Sequence, residues 1–304
     1  MQAPADIALP VVAGHQPRRR RTHRSLAPLL AGPGVLFVVV FLLLPLGLML
    51  RYSLNRFVPG ELMEVALTAG NYVRFLHDPF YQSVLWTTLW ISAVSTATCA
   101  IAGFPVAFYL ARTAGPRLKP VLMMAVVLPL LMGNSVRTAA WMVLLGSHGV
   151  IAGIVGWIVP GVRIELMYTP AAVVIGLVSV LLPFMIITVQ STLENADRSV
   201  EEAAASLGAP PYRVLFRIVL PLCLPGLLAG IVLCFVLAMN AYATPVLLGG
   251  PQMHMMAPTV YEQIAKAMNW PFGAALAFIL MAVTLVLTVA SNVLVQRRFR
   301  KWTG

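Results

Sequence analysis

Long apolar runs without a single charge are the feature that most constrains how this chain can fold. The clearest extends from Pro79 to Ala111 and, apart from the preceding Asp78, has no ionised neighbour until Arg112. Because about 20 apolar residues cross the hydrocarbon core of a bilayer as a helix, such runs predict membrane-spanning helices. Hydrophobic residues make up 60% of the chain and charged residues 10%. A soluble domain has roughly 25% charged residues, so we predict an all-α integral membrane protein.

Six segments are apolar enough, and long enough, to span a membrane. They belong to one transmembrane domain, residues 26–304, which follows a basic tail, residues 1–25, that we expect to be disordered. Prolines inside the spans, such as Pro129, mark expected kinks. We place the spans at about 29–50, 84–111, 120–146, 170–192, 222–247 and 273–295.

The Lys and Arg residues predict the orientation because they are distributed unequally between the loops. With the N-terminus inside, 15 of the 21 lie on the cytoplasmic side, whereas the inverted arrangement leaves six there. Both termini and the loop at about 193–221 are therefore predicted to be cytoplasmic. The arginines of the basic tail fit this pattern, so we expect no nucleic-acid binding despite the formal charge of +11.

Two segments on the outer side are apolar or amphipathic but too short to span. The aromatic stretch from Asn71 predicts an amphipathic interfacial helix that ends before Pro79. Residues 149–160 are predicted to form an interfacial or re-entrant piece.

A polar segment at residues 194–221 carries four of the ten acidic residues of the chain. Ser199 followed by Glu202 predicts a capping box and a helix of two turns. Gly208 is expected to end that helix in the left-handed conformation, and Pro211 to begin a second helix that reaches the membrane. The segment could be an ordinary polar connector, or it could present a smooth alanine surface with acidic edges to a shallow groove on a soluble partner.

The spacing in this segment resembles the EAA motif of binding-protein-dependent ABC importer permeases. Glu202-Ala-Ala204, Gly208 and Ile218-Val-Leu-Pro221 stand at the fixed positions of the motif. The resemblance covers roughly residues 30–296 and is to the first permease subunit of the spermidine/putrescine importers. The resemblance is also seen in three other segments: Asn71-Tyr72, Gly103–Arg112 and Thr244–Gly250.

This resemblance implies the type I ABC importer permease fold (the MetI-like fold), with six helices and cytoplasmic termini, in a bacterial inner membrane. It also implies a heterodimer with a second permease, two cytoplasmic ABC ATPase subunits and a periplasmic substrate-binding protein. The chain itself would be a transport subunit and no enzyme, since it lacks a GxxxxGK[ST] phosphate loop. The residues implied in coupling to the ATPase are Glu201, Glu202, Ala203, Ala204, Gly208, Ile218, Leu220 and Pro221.

The substrate is less well defined, because no acidic residue falls inside the spans although a polyamine is a polycation. Either the second permease supplies the acid and this chain supplies aromatic faces for cation–π contacts, or the substrate is an opine, an amino-acid-like cation or a phosphonate. Polar side chains near the spans are candidates for the path, although such groups also bond neighbouring helices. They are Asn134, Ser135, Trp141, Asn240, Tyr242 and Thr244.

Two other classes of function compete with the permease. A secondary transporter or channel needs ionisable residues within the spans or a filter-like loop, and neither is visible in the sequence. A membrane enzyme needs a nucleophile with its base, or a metal cluster. The three cysteines and five histidines are scattered, so the sequence predicts no metal site and no cofactor.

Overall fold

The computed structural model describes residues 27–147, 149–158 and 165–300. The predicted disordered tail, residues 1–25, lies outside these ranges. The chain separates into two units, residues 1–48 and residues 49–304.

Within the described residues, five helices are long and apolar enough to cross a membrane. The first is α1 (Ala27–Ser53), followed by α3 (Pro79–Phe108) with a π-helical turn, Tyr109–Thr113. Next are α7 (Pro170–Asn195), a composite helix over Pro211–Met239, and α12 (Trp270–Arg300). Together with a bent pair of shorter helices, they give up to six crossings.

Two of these helices begin with a side-chain cap followed by proline. The carboxylate of Asp78 accepts a hydrogen bond of 3.0 Å from Phe80 N–H, and Pro79 occupies the first position of α3. Thr169 does the same for α7, where its hydroxyl accepts from Ala172 N–H at 3.3 Å. A proline in the first turn costs no hydrogen bond, since that N–H has no partner within the helix.

The third predicted span, residues 120–146, is broken near Pro129, where the sequence predicted a kink. It consists of α4 (Leu118–Val127) with a 3-10 turn (Leu128–Leu131), and then α5 (Asn134–Leu145). The axis bends by 99° between the two parts. Pro129 cannot donate the α-helical hydrogen bond, and Met132 and Gly133 are extended, so the chain turns there. A further helix, α6 (Val150–Ile158), lies within the predicted interfacial segment.

The fifth predicted span, residues 222–247, is shifted along the chain. Its helix combines α9 (Pro211–Val214), a π-helical turn (Leu215–Val219) and α10 (Leu220–Met239). The wider π turn lies directly before Pro221, where it accommodates a residue without an N–H. Asn240 ends the helix, and its side-chain amide donates to Val236 O at 2.9 Å.

The region that follows is compact but is not a continuous helix. A π-helical turn spans Pro245–Gly249, and α11 (Met256–Tyr261) continues into another π-helical turn, Glu262–Lys266. The predicted span therefore ends too late, because Asn240 interrupts the helix inside an apolar run.

The main core lies where α3, α7 and α10 pack together. Cys99 and Cys234 are fully buried there, and their thiols donate to Val178 O and Leu181 O. Gly226 of α10 faces Thr192 of α7 so closely that a β-carbon on the glycine would overlap the threonine side chain. These contacts fix the three helices as one body.

The outer side holds a small element that the sequence analysis missed. Strands β1 (Arg56–Val58) and β2 (Glu61–Glu64) form an antiparallel hairpin. The predicted amphipathic helix is present as α2 (Gly70–His77), whose Phe75 is buried in a second apolar cluster with Tyr81 and Phe272. In the described residues, the hairpin β1–β2 and α2 therefore form the loop between α1 and α3.

Candidate functional site

The polar loop after α7 folds into a short helix, α8 (Ser199–Ser206). The predicted capping box is wrong, because Ser199 is already helical and the N-cap is Arg198. The carboxylate of Asp197 accepts a hydrogen bond of 2.9 Å from Ser199 N–H instead. This backbone hydrogen bond, with a second from the Ser199 side chain, lowers the pKa of Asp197.

A tight turn closes α8 at Gly208, as predicted. Gly208 has φ of 78°, in the left-handed region that costs a residue with a β-carbon about 1–2 kcal/mol. Its N–H donates to Ala205 O at 2.9 Å, and Ala209 N–H donates to Ala204 O at 3.1 Å. This pair of hydrogen bonds is a Schellman motif, which satisfies the last carbonyls of the helix and fixes the direction of the exit.

One side of α8 faces away from the protein. Glu202 and Ala203 are exposed, while Ala204 is half-buried. At the tip, the side chain of Leu207 is 89% exposed. The sequence analysis did not select Leu207 as a site residue, although an apolar side chain directly before the turn glycine in a polar loop was a usable signal.

The other side of α8 is attached to the inner end of α3. Glu201 forms an ion pair of 2.7 Å with Arg112, and the two side chains are only 17% and 8% exposed. Arg198 donates to Ala111 O at 2.7 Å, and Arg112 donates to Ala196 O at 3.3 Å. Sequence analysis placed Glu201 with the coupling residues and overlooked both arginines, whose partners lie far away in the chain.

The remaining residues that the sequence predicted for coupling lie on the composite helix Pro211–Met239. Ile218 belongs to the π-helical turn, and Leu220 and Pro221 begin α10; all three are half-buried. Leu220 packs against the main core, next to the fully buried Val219. The motif therefore joins an exposed helix to a buried one.

Two of the predicted path residues make bonds between elements. Thr244 is buried, and its hydroxyl oxygen lies 3.3 Å from that of Thr138 on α5. The indole of Trp141 donates to the hydroxyl of Ser179 on α7 at 2.8 Å. In this conformation both side chains hold α5 in place.

The other four path candidates are exposed. Asn134 and Ser135 lie at the start of α5. Asn240 lines a groove of ≈ 500 Å³ formed by α10, α11 and α12, which also contains Thr284. The ring of Tyr242 lies 5.0 Å from that of Tyr261, centroid to centroid, and Tyr261 follows the groove residue Val260 in the chain.

Residues 100–301 match the family described as binding-protein-dependent transport system inner membrane component. The chain belongs to this family. This permease is therefore a multi-pass protein of the bacterial inner membrane and a component of an ABC transport system, with the type I importer permease fold. The loop that contains α8 bears the EAA spacing, and the distribution of basic residues predicts that it lies on the cytoplasmic side.

Named relatives cover most of the permease. It is 32% identical over 266 residues to spermidine/putrescine transport system permease protein PotB of Haemophilus influenzae, with 86% of this chain and 92% of that protein aligned. It is 30% identical to inner membrane ABC transporter permease protein YdcU of Escherichia coli K12, over 94% and 93% of the two chains.

The fold is shared with a solved transporter. The crystal structure of a bacterial alginate ABC transporter, in complex with alginate pentasaccharide-bound periplasmic protein, contains a chain that aligns with a TM-score of 0.74. The alignment covers 90% of this permease and 94% of that chain at 15% sequence identity. The similarity concerns the arrangement of the helices.

Proposed function

We propose that this permease couples ATP hydrolysis by separate ABC ATPase subunits to the import of a polyamine. The observation that carries the coupling is the division of α8 into two sides. Glu201 is held inside, whereas Glu202, Ala203 and Leu207 are presented to the cytoplasm. Small side chains on the exposed side allow close approach of a partner backbone, and Leu207 offers an apolar anchor of the kind that a groove can bury.

The mechanical consequence follows from the rigid turn. When ATP closes the ATPase dimer, α8 moves with the groove that holds it. Because the Schellman turn at Gly208 fixes the exit of α8, this motion reaches α9 and α10 without being lost in a flexible loop. The permease and a second permease then alternate between inward-facing and outward-facing states, and the chain performs no catalysis itself.

Docking can be tested by purification of the transporter through a tag on this permease. We expect Leu207→Asp to lower the amount of co-purified ATPase by about tenfold, since a buried charge at the centre of an interface costs at least 1.4 kcal/mol. Leu67→Asp is the matched control, because Leu67 is 79% exposed in the outer loop. Equal ATPase recovery from both variants would contradict docking at α8.

The polyamine assignment rests on the named relatives and on an aromatic pair. Tyr242 and Tyr261 present ring faces that could attract an ammonium group, and Asn240 supplies a nearby polar side chain. Glu262, next to Tyr261, is engaged with Lys266 at 3.3 Å, so a carboxylate from the second permease remains the expected counter-charge. We propose a heterodimer whose second permease closes the groove beside α10.

Uptake of labelled spermidine and putrescine into proteoliposomes that contain the complete transporter tests this assignment. A cation–π contact at an exposed site is worth about 0.5–1 kcal/mol, so Tyr242→Leu should reduce uptake about two- to fivefold and Tyr242→Phe should preserve it. A transporter that hydrolyses ATP in response to a different ligand-loaded binding protein, but imports neither polyamine, would exclude the polyamine and leave the coupling function intact.

A further inference from the structure

The side of α8 opposite the proposed docking surface contacts the inner end of α3. We infer that Arg112 is a positioning residue that fixes α8 to α3, so that the two move as one body during transport. This inference rests on the proposed coupling function, and it assigns an attachment for α8 in addition to its two chain connections, to α7 through residues 196–198 and to α9 through Gly208.

The geometry of this attachment is reciprocal. Arg112, at the end of α3, reaches α8 through its ion pair with Glu201 and reaches the preceding loop through Ala196 O. Arg198, at the start of α8, reaches back to Ala111 O. Two arginines thus cross between the same two segments in opposite directions, which resists both sliding and rotation.

The ion pair between Arg112 and Glu201 is largely shielded from water. The side chain of Arg112 is 8% exposed and that of Glu201 is 17% exposed, so water cannot readily replace either partner. Loss of one partner would leave a buried charge without compensation, which is more harmful than loss of a surface pair. The neighbouring pair of Lys119 and Glu194 spans 2.8 Å but is more than one-third exposed on both sides, and it is therefore a weaker connection.

The position of the pair gives it a mechanical role. The chain joins α8 to α7 on one side and, through Gly208, to α9 and α10 on the other, whereas the ion pair joins α8 to the π-helical turn that follows α3. Since α3, α7 and α10 form the main core, α8 is attached to all three helices of that core. A load on the exposed side of α8 is therefore applied to α3 as well as to α7 and α10.

A charge exchange tests the role of Arg112 in the complete transporter, reconstituted with its ATPase, second permease and binding protein. We expect Glu201→Arg and Arg112→Glu each to lower the number of substrate molecules imported per ATP hydrolysed by about tenfold. The double variant Arg112→Glu/Glu201→Arg should recover to within about threefold of the wild type. Failure of the double variant to exceed the better single variant would overturn the inference.

Glu202 provides the matched control for this exchange. It is adjacent in sequence but exposed, and among the described residues it forms no ion pair. Arg112→Glu should not rescue Glu202→Arg; equal rescue would mean that only net charge matters, and it would overturn the pairing. If Glu202→Arg and Leu207→Asp both leave ATPase binding and uptake unchanged, the docking function fails instead, whatever the exchange at residues 112 and 201 shows.

A cross-link tests whether α3 and α8 move together during transport or only touch in one state of the transporter. Cysteines introduced by Arg112→Cys and Glu201→Cys are joined with a short bifunctional maleimide after assembly of the transporter. If α3 and α8 move together, the cross-link replaces the lost ion pair, so the number of substrate molecules imported per ATP hydrolysed equals or exceeds that of the unlinked double variant. Arrest of uptake by the cross-link would show that the two segments must separate, and it would overturn the inference even if the charge exchange succeeded.

Discussion

The side-chain amide of Asn71 donates a hydrogen bond of 2.7 Å to the main-chain oxygen of Ser53, and a second, of 2.9 Å, to that of Asn55. Tyr72 adds a hydroxyl contact of 2.8 Å with the Ser53 side chain. These bonds tie the start of α2 to the segment that leaves α1. The Asn-Tyr pair that sequence similarity singled out thus serves to hold the outer loop.

Asn71→Asp is expected to destabilise the permease more than Asn71→Ala, although aspartate has nearly the size of asparagine. The carboxylate would face two carbonyl oxygens and could donate to neither, whereas alanine leaves the two acceptors free to find water. Unsatisfied partly buried groups cost about 1–3 kcal/mol each, and more when charged. Thermal unfolding in detergent should therefore rank wild type above Asn71→Ala, and Asn71→Ala above Asn71→Asp; the reverse order of the two variants would contradict this account.

Gly208→Val should uncouple transport, whereas Gly208→Asn should be tolerated. Apart from its two chain neighbours, no described residue has an atom within 4 Å of a β-carbon placed on Gly208, so the penalty comes from its φ of 78°. Valine in this conformation costs about 1–2 kcal/mol or more, while asparagine visits it readily. The readout is substrate uptake per ATP hydrolysed; equal behaviour of the two variants would show that the left-handed turn is not required.

The sequence was most informative where one interaction decides the structure. The long uncharged run is by itself enough to predict α3 as a membrane helix. The positive φ of Gly208 follows from the local turn alone. The kink near Pro129 in the third span was expected, but hydropathy could not predict its angle of 99°. The end of the fifth span was misjudged because Asn240 ends the helix within an apolar run, where hydropathy does not change.

The candidate site could be predicted only in part, for a related reason. The EAA spacing located Glu202 and Gly208, which act within one short segment. The ion pair of Glu201 with Arg112 could not be predicted from the sequence. It depends on the packing of α3 against α7, which brings together residues that are distant in the chain. The tip residue Leu207 could have been chosen from its place beside the turn.

The three cysteines should be unreactive in the folded permease. Cys99, Cys223 and Cys234 are all buried, and the thiols of Cys99 and Cys234 donate to main-chain carbonyls of α7. A maleimide reacts with an accessible thiolate, which a buried thiol in apolar surroundings does not provide. Mass spectrometry should find no labelled cysteine in the membrane-embedded protein and three after denaturation; rapid labelling of the native protein would show that the α3–α7–α10 core is open.

Gly226→Ala should weaken the same core because α10 cannot move away from α7 without losing its other contacts. The added methyl group would overlap the side chain of Thr192, and such overpacking costs about 1–3 kcal/mol. Gly153→Ala on α6 is the matched control, since outside its chain neighbours and the backbone of its own helix no described atom lies within 4 Å of the added β-carbon. In a helix, replacing glycine by alanine at an open position gains about 0.5–1 kcal/mol. We therefore expect the unfolding temperature to fall for Gly226→Ala, and to hold or rise for Gly153→Ala; partial recovery of Gly226→Ala by Thr192→Gly would identify the threonine as the obstacle.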